Sequence, residues 1–73
     1  MGPHPDLVYK RNGSTVTCQF REELIAAAFL TDDGQWELTA IDQQPTLHVT
    51  RSDAVLALQA WARRYAWWLT TVH

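Results

Sequence analysis

The sequence predicts an α+β fold: a small antiparallel sheet of four or five strands with one long C-terminal helix across one face. Three observations carry that prediction. From Thr50 onward the run TRSDAVLALQAWARRYAWWLTTVH contains no glycine or proline and repeats apolar residues at helical spacing. Upstream, Asn12-Gly13 sits between alternating apolar and polar residues, the pattern of a tight hairpin. Asp33-Gly34 does the same further along.

The 73 residues make one domain at the small end of what folds unaided. Residues 1–6 carry Pro3 and Pro5 and read as an extended, loosely held arm, with 7–73 as the domain. In residues 7–20 a two-residue turn at Asn12-Gly13 pairs Tyr9 with Val16 and Leu7 with Cys18. Leu7, Tyr9, Val16, Cys18 and Phe20 then share one face. Cys18 reads as a small buried hydrophobe.

Residues 21–30 are ambiguous. Their Glu, Leu and Ala content favours helix, but no Ser, Thr, Asp or Asn precedes them as a cap. A two-residue turn at Asp33-Gly34 favours strand instead. It pairs Phe29 with Leu38 and Ala27 with Ala40, placing Ile25, Ala27, Phe29, Trp36, Leu38 and Ala40 on one face. Strand is the expectation. Residues 42–45 read as a polar loop. Residues 46–49 read as a short extended piece, Leu47 and Val49 facing together and His48 turned to solvent.

The helix is expected over 51–71. Thr50 is its cap and Asp53 favours its positive end. Its core stripe reads Ala54, Val55, Leu58, Trp61, Ala62, Tyr65, Trp68, Leu69 and Val72. Leu56 and Trp67 fall outside that stripe and define a second one with Ala60 and Arg63.

Composition narrows the function classes. Net charge is −2, with eight acids against six bases, so there is no basic excess to attract nucleic acid or anionic lipid. Lys10, Arg11, Arg51, Arg63 and Arg64 still leave nucleic-acid binding as the runner-up. The apolar run of the helix is broken by Gln59, Arg63 and Arg64, which argues against a membrane span. A single cysteine excludes an internal disulfide, and with three scattered histidines suggests no metal site. The residues 1–10 lack the charged start and apolar run of a signal peptide, so a cytoplasmic protein is expected.

The groups able to do catalysis are His4, His48, His73, Cys18, Glu22, Glu23, Asp32 and Asp33. No spacing among them forms a nucleophile–base set, and no glycine-rich phosphate loop is present. The expectation is a non-enzyme without cofactor or metal. Protein–protein recognition remains, because so short a chain can hardly bury both faces of a sheet and the whole girth of a helix. Its candidate residues are Leu56, Ala60, Arg63 and Trp67 on the helix, and Leu7, Val8 and Lys10 on the first strand. A homodimer through the same surface would also hide it.

In length, acidity and apolar surface the chain resembles the small transcription regulators of lytic Xanthomonas phages. That resemblance implies a phage protein of host takeover, which binds host RNA polymerase subunits in the host cytoplasm and inhibits transcription. The run FLTDDGQWELTAIDQQPTLHVTRSDAVLALQAWARRY, from Phe29 to Tyr65, looks like the strand–turn–strand–helix of HicB-type antitoxin domains. It implies an antitoxin-type regulator as the alternative.

Overall fold

Five strands precede a single helix in the computed structural model, which describes residues 3–72. The strands are β1 (Leu7–Asn12), β2 (Thr15–Phe20), β3 (Glu23–Leu30), β4 (Trp36–Ala40) and β5 (Gln43–His48), and the helix is α1 (Arg51–Val72). They form one antiparallel sheet in the order β1-β2-β3-β4-β5, so every strand pairs only with its neighbours in sequence. The α+β architecture expected from the sequence is therefore the one observed. Residues 21–30 are strand rather than helix from Glu23 onward.

Turn chemistry sets each register. The first hairpin turns on Gly13-Ser14 rather than Asn12-Gly13, because Asn12 pairs with Thr15. Only Gly13 has positive φ there, at 61°, which suits a glycine-first turn. The pairing slides by two residues, setting Leu7 opposite Phe20 and Tyr9 opposite Cys18. A slide of two keeps each side chain on its face, and Val16, Cys18 and Phe20 are buried as expected.

The third hairpin differs by one residue, with a larger effect. Gly34 N–H donates to Thr31 O at 3.0 Å, Thr31 N–H donates to Gln35 O at 2.7 Å, and Gly34 has φ 83°. The loop therefore holds three residues, Asp32-Asp33-Gly34, not two. One extra residue turns β3 over relative to β4. Ala28 pairs with Leu38 and Ala26 with Ala40, so Ala26 and Ala28 enter the core while Ala27 and Phe29 take the opposite face. A register shift between Cys18 and Gln19 leaves Ile25 as an extra residue on β3, and it is also buried.

β2 and β3 meet at Arg21-Glu22, with φ 53° and 71°. The expected loop at 42–45 is instead mostly β5, after a turn at Ile41-Asp42 in which Asp42 has φ 63°. β5 also faces the other way from expectation. His48 is half-buried opposite Trp36, whereas Leu47 and Val49 are exposed.

The helix start matches the sequence reading: Asp53 N–H donates to Thr50 Oγ1 at 3.1 Å and Ala54 N–H to Thr50 O at 3.2 Å. Its buried row is Ala54, Leu58, Ala62 and Ala66, all without exposure. Trp61, Tyr65, Leu69 and Ala57 pack beside that row, half-buried. Steps of four residues turn the contact line by about 40° each around the helix. By Ala66 it has moved about 120° from Ala54, and Trp68, expected in the core, points away and is 57% exposed. The straight stripe drawn from sequence ignores this drift, which a helix crossing a twisted sheet requires.

The arm is anchored where the structure describes it; Met1 and Gly2 lie outside the described residues. His4 is 6% exposed, its ring edge-on to Phe20 at 5.3 Å and tilted on Trp67 at 4.5 Å. Its Nδ1 accepts from Asp6 N–H at 3.1 Å and its Nε2 lies 2.9 Å from Thr70 Oγ1. Since Nδ1 is an acceptor, Nε2 carries the hydrogen and donates to Thr70, which donates onward to Ala66 O at 2.8 Å. Arg21 clamps the same arm through Asp6, Nε to Oδ2 at 3.0 Å.

Candidate functional site

Two surfaces that are separate in sequence come together along the β1 side of α1. At the amino-terminal end of the helix, Arg51, Ser52, Val55 and Leu56 face Tyr9, Lys10 and Arg11 of β1 across a cleft of about 420 Å³, with Val16 of β2 at its floor. Further along, Arg63 lies within electrostatic reach of Tyr9. At the far end Trp67 lies under His4. Leu56 and Lys10, singled out on different elements, thus line one cavity.

The remaining candidates distribute as follows. Leu56 is 63% exposed and Val8 is 47% exposed. Lys10 is exposed, while Leu7, Ala60, Arg63 and Trp67 are half-buried. The stripe expected to stand free is therefore covered at its Trp67 end and open at its Leu56 end. Tyr9, Arg11, Val16, Arg51, Ser52 and Val55 complete the cleft. Of these, Arg11 and Arg51 figured in the sequence as members, with Lys10, of the basic patch behind the nucleic-acid alternative, and not as protein-binding candidates. Arg11 and Arg51 are forty residues apart in the chain and meet where the start of α1 lies beside β1.

Charge is distributed unevenly. Lys10, Arg11 and Arg51 all border the cleft, and among the described residues none of them is ion-paired with a carboxylate. Acidic groups collect elsewhere. The carboxylates of Asp42 and Glu23 reach Tyr65, whose hydroxyl is pushed above its ordinary range first by burial and then by those two charges. Tyr9 is raised as well, by burial and then by the Cys18 thiol, with Arg63 acting in the opposite direction. The cleft thus combines apolar walls, cationic rims and a phenol that stays neutral at physiological pH.

The groups considered for catalysis do not converge on the cleft. Cys18 has no exposure, and burial pushes its thiol up to about 11. His4 is committed to Thr70 and Asp6, and His48 Nε2 lies 2.9 Å from Thr46 Oγ1. Glu22, Glu23, Asp32 and Asp33 are exposed around turns, and His73 lies outside the described residues. Among the described residues no group of three or more His, Cys, Asp or Glu could hold a metal ion. No helix among them is long and apolar enough to cross a membrane. No protein-family model matches the chain, and neither do any curated proteins or solved structures.

Proposed function

We propose that the chain is a small non-enzymatic binding module that modulates another protein, gripping it through the cleft between β1 and the amino-terminal half of α1. One observation carries this reading. The cleft joins an exposed apolar anchor, Leu56, to three cations that have no carboxylate partner among the described residues. Desolvated apolar anchors within a charged rim are how protein interfaces gain affinity and orientation together. Host RNA polymerase is the partner this reading names first, with inhibition of transcription as the outcome. That choice rests on the resemblance in size and character to phage regulators.

The test pairs purified bacterial RNA polymerase with the wild-type chain and with Leu56→Asp or Arg51→Glu. Both side chains are exposed, so both variants should fold normally. Wild type should bind and suppress initiation, and each variant should weaken binding at least about tenfold. Full affinity in both variants would exclude the cleft. No binding by the wild type would exclude polymerase as the partner.

The gathering of Lys10, Arg11 and Arg51 also favours a second reading, a phosphate backbone. It predicts affinity for single-stranded or duplex DNA that falls steeply with salt. At about 150 mM salt we expect no measurable binding, because the remaining surface carries the acidic excess.

A further inference from the structure

We infer that the partner presents an extended acidic segment, carboxylates alternating with apolar side chains, which adds to β1 as a sixth strand. This rests on the binding reading above and names what the cleft holds. The sheet has two free edges, β1 and β5, and they are not equivalent. β5 carries Pro45, which offers no N–H, and its register with β4 shifts between Leu38 and Ala40. Both features oppose strand addition.

β1 has neither. It pairs with β2 without a shift from Leu7↔Phe20 to Asn12↔Thr15, contains no proline, and is exposed from Val8 to Asn12. Along its outer side, alternate N–H and C=O groups face away from β2. Lys10 and Arg11 repel a second copy of the same edge, yet they attract a strand bearing carboxylates. Alternate residues of an added strand point to one face. Those on the helix side meet Val55 and Leu56 between Arg11 and Arg51, while the carboxylates, which alternate to the outer face, meet the ammonium of Lys10. A phosphate backbone would use the cations but leave the apolar walls empty.

The probe is a short fluorescein-labelled peptide of alternating glutamate and valine, followed by anisotropy and by amide exchange of the full chain. It should bind, slow exchange along β1, and lose at least about tenfold in affinity to Lys10→Glu with Arg11→Glu. N-methylating one alternate set of its amides should abolish binding, and methylating the other set should not. Equal binding of both methylated peptides, or no slowing at β1, overturns strand addition. So does a chain dimer whose β1 amides are protected without peptide, or tighter binding of a single-stranded oligonucleotide that competes with the peptide. If the peptide fails while Leu56→Asp still abolishes polymerase binding, this inference falls and the binding reading stands. If the peptide binds and polymerase does not, the choice of partner falls instead.

Discussion

Cys18 shows how far one buried residue can be taken. Its thiol has no exposure and is pushed from 9.0 to about 11 by burial alone. As pH rises, the unfolded chain gives up this proton first. The stability tied to it is intact below pH 9.0 and is lost as pH climbs from there through about 11. Tyr9 and Tyr65, also raised by burial, carry the same sign. The unfolding free energy read from urea titrations should therefore fall over that window, by about 1–3 kcal/mol for the thiol, and Cys18→Ala should flatten the profile. An aromatic disulfide reagent should attack the native thiol at least about 100-fold more slowly than the unfolded one. Rapid native labelling would contradict its burial.

At the scale of elements, the turn at Arg21-Glu22 is the most informative. Two bulky residues occupy positive φ there, a conformation that favours glycine or asparagine. Arg21 keeps its ion pair to Asp6, leaving Glu22 as the clean position. Glu22→Gly should raise stability by about 0.4–1 kcal/mol, read from chemical denaturation. A loss would mean the Glu22 side chain contributes more than its backbone strain costs. Across the helix–sheet seam, Leu58→Ala should cost about 2–5 kcal/mol, whereas Trp68→Ala should cost little because the ring is mostly in solvent.

The same elements show what was legible in the chain. The first four strands, the helix limits, its Thr50 cap and the first buried face followed from periodicity and turn residues, while the fifth strand was open between four and five and its first half was read as loop. What failed depended on single-residue counts or on tertiary geometry. A three-residue loop at Asp32-Asp33-Gly34 reversed the faces of β3, and residue types alone do not distinguish it from a two-residue Asp-Gly turn. The drift of the helix contact line replaced Trp68 by Ala66, and only a known crossing could show that. Of the site, Leu56 and Lys10 were legible as unburied residues, but their meeting across one cleft was not.

For the molecule as a whole, the arm and the helix end act together. His4 bonds to Thr70 and lies on Trp67, so the chain is closed on itself across an interval of 66 residues. Deleting residues 1–6 should leave a folded domain that is less stable by about 1–3 kcal/mol, since it strips a buried hydrogen-bonded ring from Trp67 and Thr70. Unchanged stability would show that the closure is energetically idle. The cleft lies at the other end of α1, so binding there should survive the deletion.

The meander order has a further consequence during synthesis. Every strand meets its partner as soon as the next one is made, yet the layer that covers their shared face is encoded after all of them. At the usual pace of translation, supplying the 22 residues of α1 takes roughly 1–4 s. A hairpin forms in microseconds, so through that interval Val16, Cys18 and Phe20 await the helix that covers them. Those are the seconds in which a chaperone has most reason to attend this chain.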